Sequence, residues 1–263
     1  MPYVIAALAG LLLGALLNVL ADDLPRRHTP ERPACANCRR IHPPHYWLAV
    51  IAYMFGGRCA TCGSPIPIRR VLAELTSALA LAYLWGRFGA TRQFVFNVLI
   101  VELLLLITVI DLEHRLILRV VIYPAALVAL AAGLVDAARG VERTLIGGAV
   151  GFGVTYLFYV FGWLFAKAVG KLRGQPLSEV AFGWGDVNLG GFIGLAVGWP
   201  GVTFALLIGV FAGGLGGAFY LAVMRLRGKA SAFMAMPYGP FLALGGLVML
   251  LWADEFVAWY FRS

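Results

Sequence analysis

Residues 94–111 read Phe-Val-Phe-Asn-Val-Leu-Ile-Val-Glu-Leu-Leu-Leu-Leu-Ile-Thr-Val-Ile-Asp. Only Glu102, near the middle, and Asp111, at the end, carry a charged side chain in this stretch. A helix needs roughly 20 mostly apolar residues to cross the hydrocarbon core of a bilayer. The stretch therefore predicts a transmembrane helix over residues 94–110 that ends on an aspartate.

The same pattern recurs along the whole chain. Of its 263 residues, 61% are hydrophobic and 13% are charged, whereas about 25% are charged in a typical globular chain. The other apolar segments lie at residues 3–21, 71–86, 117–137, 144–166, 187–199, 201–224 and 238–261. We therefore predict an all-α polytopic membrane protein with about eight transmembrane helices, and a soluble fold is excluded. Segment 187–199 is short, so it is expected either to span the membrane or to form a re-entrant helix.

The net charge of +8 is explained by where the basic residues lie. If the N-terminus is outside, the inner loops hold 16 of the 21 Lys and Arg residues, including eight arginines within residues 22–70. Cytoplasmic loops are rich in Lys and Arg, so this distribution predicts eight spans in the inner (cytoplasmic) membrane, with both termini outside. No basic residue precedes the first segment, which we expect to be retained rather than cleaved as a signal peptide. The charge indicates topology and contact with lipid, and nucleic acid is not an expected partner.

The polar insert at residues 22–70 contains all four cysteines, as Cys35-Ala-Asn-Cys38 and Cys59-Ala-Thr-Cys62. Two such knuckles are typical of a zinc ion held by four thiolates, which leaves no open coordination position and is therefore structural. The alternatives are a pair of disulfides, which the predicted cytoplasmic location disfavours, and free thiols. The nearby His28, His42 and His45 are expected to be solvent-facing or hydrogen-bonded loop residues rather than ligands.

These segments suggest three domains. They are a first transmembrane helix at residues 1–21, the zinc insert at 22–70 and a transmembrane domain at 71–263 that contains the candidate catalytic residues.

Two aspartates fall at the same predicted side of the membrane. Asp111 ends one span, and Asp186 begins the span that follows the inner loop 167–184. Such a pair can hold one water, with the ionised carboxylate as general base and its protonated neighbour polarising a scissile carbonyl. This is the chemistry of an aspartic protease. The alternative is two unrelated helix-end residues, since aspartate is an ordinary helix N-cap.

Two other acids have structural interpretations. Glu74 lies four residues after Arg70, which is the spacing of an ion pair along a helix. Glu102 lies in mid-span, where it is expected to be protonated or to hydrogen-bond a neighbouring helix.

Small residues surround Asp186. Gly183 and Gly185 permit a tight turn, and Gly190, Gly194 and Gly198 follow at four-residue spacing on its helical face. This stripe favours close packing of another helix, which is either a substrate's transmembrane helix or another helix of this chain. For the similar sets Gly147/Gly151 and Gly209/Gly213/Gly217 we expect packing within the chain.

Several motifs occur in an order that one known family shares. They are Gly14-Ala15-Leu16-Leu17-Asn18-Val19, Leu24-Pro25, the double Cys-x-x-Cys insert, Ile110-Asp111-Leu112-Glu113-His114-Arg115-Leu116-Ile117, Gly183-Trp184-Gly185-Asp186 and Pro237-Tyr238-Gly239-Pro240-Phe241-Leu242-Ala243. With this ordered set, the chain resembles the type IV prepilin peptidases over nearly its whole length. The Gly-x-Gly-Asp motif is one that the family shares with presenilin-like intramembrane proteases.

The resemblance implies that Asp111 and Asp186 are the catalytic pair of a membrane aspartic endopeptidase. Members of the family cleave the short basic leader of type IV prepilins, or of the pseudopilins of type II secretion systems, on the cytoplasmic side of the substrate's hydrophobic helix. Many members also methylate the new N-terminus with S-adenosylmethionine, an activity associated with the cysteine-containing N-terminal region. The resemblance thus implies S-adenosylmethionine as a cofactor in addition to zinc.

The chain departs from the family pattern at three places. Leu118-Arg119 stands where the family usually has Pro-Asp or Pro-Asn, Asn188 replaces a Lys, and Ala15 replaces a Ser. The first two departures bear on cleavage-site preference, and the third bears on methyl transfer. The sequence leaves three hypotheses: a peptidase that also methylates, a peptidase that has lost methyl transfer, and a non-catalytic membrane scaffold stabilised by zinc.

Overall fold

The computed structural model describes residues 1–27, 29–30, 32–35, 37–136, 139–173, 182–227 and 237–261. Within these ranges the fold is all-helical, as predicted, apart from two isolated β-bridges in the insert. The α-helices are α1 (Pro2–Arg27), α2 (Ala49–Met54), α3 (Ile68–Phe88), α4 (Arg92–His114), α5 (Arg119–Val135), α6 (Gly140–Arg173), α7 (Trp184–Val197), α8 (Gly201–Leu226) and α9 (Gly239–Phe261).

A helix occupies each of the eight predicted apolar segments, and the short α2 lies in the insert. Among the described residues, four helices are long and apolar enough to cross a membrane: Pro2–Arg26, Arg92–His114, Gly140–Leu172 and Gly201–Leu226. The membrane class is therefore confirmed, whereas the count of eight spans is matched only roughly. Helix α7 has 14 residues and is about 21 Å long, which is shorter than a hydrocarbon core of about 30 Å.

The chain divides into two compact units, Met1–His114 and Arg115–Ser263. This division follows packing, whereas the three domains predicted from the sequence followed composition. In the first unit α1 packs closely along α3, since a Cβ added at Gly10 would lie 2.5 Å from the Cα of Ala78. Ser77 Oγ lies 2.7 Å from the Gly10 carbonyl oxygen and 2.5 Å from Oε1 of Glu102. The mid-span carboxyl thus hydrogen-bonds a neighbouring helix, one of the two roles predicted for it.

In the second unit α7 lies at the centre and contacts α5, α6, α8 and α9. Arg139 closes its C-terminal end, since the guanidinium donates to the carbonyls of Leu195 and Ala196 and pairs with Asp136 at 3.4 Å. A cation at this end of a helix satisfies carbonyls that have no partner within the helix and complements the helix dipole. Arg139 thereby fixes the end of α7 opposite to Asp186.

Candidate metal centre and candidate catalytic aspartates

The two cysteine knuckles of the insert have the same backbone fold. In each, the first cysteine's N–H donates to the carbonyl of the residue five positions later, and its carbonyl accepts the N–H of the residue four positions later. The latter residue has a left-handed backbone in both knuckles, with φ of 57° at Arg39 and 69° at Gly63. This repeated turn directs both thiols of a knuckle toward the same point.

The four sulfur atoms form a cluster whose dimensions fit a metal ion. They all lie within 4.8 Å of one another, with 3.6 Å between Cys35 and Cys62 and 3.8 Å between Cys38 and Cys59. Tetrahedral zinc with Zn–S bonds of about 2.3 Å requires sulfur atoms about 3.8 Å apart, whereas a disulfide requires about 2.05 Å. All four cysteines are free thiols. The cluster can hold a metal ion, and the alternative of two disulfides is not supported.

Ser64 is a neighbour of the cysteine cluster that the sequence did not predict. Its hydroxyl oxygen lies 3.3 Å from Sγ of Cys35 and 3.2 Å from Sγ of Cys62. The Ser64 hydroxyl and, to a smaller extent, the Ser64 backbone hydrogen-bond the Cys62 thiol and lower its pKa to about 6. Because the thiolate is the form that binds metal, this contact favours coordination. Ser64 lies two residues after the last cysteine, and this proximity in sequence could have identified it.

The two described histidines of the insert, His42 and His45, are not members of the cluster. His42 is buried rather than solvent-facing, and its carbonyl accepts the indole N–H of Trp47 at 3.0 Å. Burial is the larger cause that lowers the pKa of His42, and the positive charge of Arg70 is the smaller one; both favour the neutral ring. His45 is exposed and contacts the ring of Phe55. His28 lies outside the described residues.

Glu74 joins the insert to the helices of the first unit. Its fully buried carboxylate accepts the backbone N–H groups of Ala49, at 2.7 Å, and Val50, at 2.9 Å. It therefore caps the N-terminus of α2, where the helix dipole favours negative charge. Arg70, the partner expected from the four-residue spacing, forms its ion pair with Asp22 at 2.5 Å and acts on Glu74 through its charge.

Arg69 connects three helices at the same end of the first unit. Its Nε donates to Oε1 of Glu113 in α4 at 2.5 Å, and its guanidinium also contacts Asp22 and Asn18 in α1. Since Glu113 lies two residues after Asp111, this network holds the last turn of α4 in place.

Asp111 lies in that last turn and is only 5% exposed. Helix α4 ends three residues later at His114, and the next residue, Arg115, has a left-handed backbone with φ of 53°. A carboxylate at the C-terminal end of a helix faces the negative end of the helix dipole, so this placement opposes ordinary helix preference. Such a conflict with local preference is typical of a functional residue.

Asp186 lies in the first turn of α7, at the end that favours negative charge. Its Oδ2 accepts the Gly183 N–H at 2.8 Å, and its own N–H donates to the Gly183 carbonyl at 3.1 Å. Gly185 is required by packing, since an added Cβ would lie 2.8 Å from Cβ of Ile117. The Asp186 residue as a whole is only partly buried.

The glycine stripe of α7 packs against α6. A Cβ added at Gly194 would lie 2.6 Å from the carbonyl carbon of Gly147, and one added at Gly190 would lie 2.5 Å from Oγ1 of Thr155. The stripe therefore packs against another helix of this chain, which is one of the two alternatives left by the sequence. No room is left on this face for a substrate helix. The expected packing within the chain therefore also holds for Gly147.

Aromatic side chains near Asp186 were not identified from the sequence. The Trp184 ring lies 6.0 to 6.2 Å, between centroids, from three rings of α6: Phe152, Tyr156 and Tyr159. The spacing of these three residues places them on one helical face, which was a usable signal. The cluster forms a partly exposed aromatic surface beside the start of α7.

These features define the class of the protein: a polytopic α-helical membrane protein with a cluster of four cysteine thiols in an insert between its first two long helices. Residues 98–218 match the sequence model described as the type IV leader peptidase family, and residues 8–88 match the bacterial peptidase A24 N-terminal domain. The chain belongs to the type IV leader peptidase family. The family resemblance found in the sequence is confirmed.

Relatives align over nearly the whole chain. The prepilin leader peptidase/N-methyltransferase of Pseudomonas aeruginosa is 29% identical, covering 97% of this chain and 92% of the relative. Proteins with the same name from Legionella pneumophila and Bacillus subtilis are 27% and 26% identical, covering 98% and 96% of this chain and 94% and 95% of the relatives. No solved structure matches the chain.

Proposed function

We propose that the protein is a membrane aspartic endopeptidase that removes the leader peptide of type IV prepilins or pseudopilins at the cytoplasmic face of the inner membrane. The observation that carries this proposal is that Asp111 and Asp186, each at the end of a helix, both fall within the stretch that matches the leader peptidase family. The names of the aligned relatives support the substrate class.

Cleavage uses Asp111 and Asp186 as a carboxyl pair that activates one water. Asp186 is the better placed general base, because the N-terminal end of α7 and the Gly183 N–H both favour its negative charge. Asp111, buried at the C-terminal end of α4, is the better placed proton donor to the scissile carbonyl. Asp186 takes a proton from the water as the water oxygen adds to the carbonyl carbon. The peptide C–N bond then breaks as Asp186 passes this proton to the nitrogen and Asp111 regains its own from the intermediate. Infrared spectroscopy should show a carboxylic acid band that Asp111→Asn removes and Asp186→Asn retains, and the reverse result would exchange the two roles.

The test is co-expression of a prepilin with the wild type, Asp111→Asn or Asp186→Asn, followed by mass spectrometry of the prepilin. Each substitution should lower the cleavage rate by about 10²- to 10⁴-fold, the usual size of a general acid–base contribution. Glu142→Gln, in the exposed first turn of α6, is the control and should cleave normally. Cleavage that survives both aspartate substitutions contradicts the pair. Absence of cleavage by the wild type would favour the scaffold.

The four cysteines are proposed to hold a structural zinc ion. Cys35, Cys38, Cys59 and Cys62 would supply all four ligands, so the ion would stabilise the fold of the insert and leave no position for substrate. Metal analysis of a variant lacking Cys35 and Cys59 should find less zinc than protein, and unchanged zinc would contradict the site.

Methylation of the new N-terminus by S-adenosylmethionine is proposed as a second activity, since the aligned relatives are named N-methyltransferases. The mass of the cleaved pilin tests this directly, because it either gains one methyl group or does not. A cleaved but unmethylated product identifies a peptidase that has lost methyl transfer.

A further inference from the structure

The insert exposes an apolar tip at the C-terminal end of α2. This α2 tip consists of Tyr53, Met54 and Phe55, of which Met54 is 81% and Phe55 is 65% exposed. Adjacent large apolar side chains exposed on a small insert mark an interaction surface, because their contact with water is unfavourable. The tip is therefore expected to be covered by another molecule.

The tip is fixed to the beginning of α3. The Tyr53 hydroxyl donates to the carbonyl of Ile66 at 2.7 Å, and the Ile66 N–H donates to the carbonyl of Gly57 at 2.9 Å. Two residues later α3 begins, with the exposed apolar side chains of Ile68 and Leu72 in its first turns. In a membrane protein such a face is covered by lipid. The α2 tip is thus linked by hydrogen bonds to the segment that leads into the exposed apolar start of α3.

Arginines accompany the apolar tip on the surface of the insert. Arg39 and Arg40 follow the first knuckle, Arg58 precedes the second, and all three residues are exposed. Residues 22–70 contain eight arginines and three acidic residues, and one of these acids, Asp22, is paired with Arg69 and Arg70. The exposed charge is therefore complementary to an anionic surface.

We infer that the insert lies on the membrane, with the α2 tip in the boundary between headgroups and acyl chains and with the exposed arginines against the phosphates of anionic phospholipids. Aromatic and aliphatic side chains flanked by basic residues are the composition that binds this zone. The docking holds the metal centre against the leaflet on the insert's side. This membrane docking of the insert does not depend on whether the protein cleaves peptides.

The test is hydroxyl-radical footprinting of the full-length protein in nanodiscs, with oxidation of each methionine measured by mass spectrometry. The matched control is Thr61→Met, which places a methionine at an exposed position on the second knuckle. In nanodiscs with anionic phosphatidylglycerol, Met54 should be oxidised roughly fivefold or more slowly than the introduced methionine, because lipid excludes the radical from the boundary zone. Equal oxidation of the two methionines overturns the inference.

Two further arms test the nature of the occupant. In nanodiscs of neutral phosphatidylcholine, and in the triple variant Arg39→Gln, Arg40→Gln and Arg58→Gln with anionic lipid, protection of Met54 should fall by a similar factor. Protection that does not depend on lipid charge overturns the role of the arginines. Protection that arises only after a prepilin is added overturns lipid as the occupant and assigns the tip to a protein. Cleavage activity enters none of these readouts, so a failure here is distinguishable from a failure of the proposed peptidase function.

Discussion

At the base of the insert, Glu74 is fully buried and caps α2 through two backbone N–H groups, whereas at the start of α7 the Asp186 residue stays partly exposed. The first arrangement joins segments 25 residues apart in sequence. The start of α7 is held by close packing at glycines, with Gly185 against Ile117 and Gly194 against α6. One region is held by a buried side chain that binds backbone groups, and the other by the absence of side chains at glycines.

The difference separates two uses of an acid in a membrane protein. A carboxylate that is surrounded by donors of its own chain contributes to stability, and its removal leaves those donors without partners. A carboxylate that is positioned by the backbone around it, with part of its residue exposed, can act on another molecule without loss of stability. Substitutions in the two regions should therefore change different measurements.

The largest expected effect is on catalysis. Asp186→Asn should lower leader cleavage by about 10²- to 10⁴-fold and leave the thermal unfolding midpoint nearly unchanged, because the amide oxygen can still accept the Gly183 N–H. Cleavage and unfolding would be measured on the same purified protein. A large fall in the unfolding midpoint would make Asp186 a structural residue and remove the contrast with Glu74.

Glu74→Ala should act on stability. Loss of the carboxylate leaves the N–H groups of Ala49 and Val50 without their acceptor, which costs about 3 kcal/mol of unfolding free energy. Denaturant unfolding measures the loss, and Glu142→Ala serves as an exposed control. If Glu74→Ala instead abolished cleavage in a protein of normal stability, Glu74 would belong with the functional acids.

The sequence predicted the features that depend on short-range patterns. The membrane helices follow from runs of apolar residues, and the cysteine cluster follows from two knuckles that each set their own geometry. The partner of Glu74 was not predictable, because Arg70 is near in sequence whereas Ala49 becomes a neighbour only after the insert folds. The glycines of α7 were ambiguous for a similar reason, since a smooth stripe accepts any helix and its own residues do not specify which.

The packing of α7 is tested by two glycine substitutions. Gly194→Ala forces a Cβ to 2.6 Å from the carbonyl carbon of Gly147, so α6 and α7 must separate, and overpacking of this kind costs about 2 kcal/mol. Gly153→Ala is the matched control, because nothing lies within 4 Å of the added Cβ, and alanine should stabilise α6 by about 0.5 kcal/mol or more. Equal unfolding midpoints for the two variants would contradict the close contact.

Ser64→Ala should weaken metal binding without removing a ligand. The hydroxyl contacts the sulfurs of Cys35 and Cys62, and loss of such a contact typically lowers metal affinity by about tenfold or more. Competition with a chelator measures the affinity, and Ser64→Thr retains the hydroxyl as a control. An unchanged affinity in Ser64→Ala would show that the four thiolates alone determine binding.

The smallest expected effect concerns the backbone of the first knuckle. Arg39 has the left-handed conformation that Gly63 has at the equivalent position of the second knuckle. Side chains other than glycine adopt this conformation at a cost of about 1 kcal/mol. Arg39→Gly should therefore stabilise the insert by about 1 kcal/mol at most, because glycine also increases the entropy of the unfolded chain. Gly63→Ala should destabilise it by a similar amount, as measured by the denaturant concentration that releases the metal. If both substitutions destabilise the insert, the two knuckles are not equivalent, and the Arg39 side chain contributes an interaction that outweighs its backbone cost.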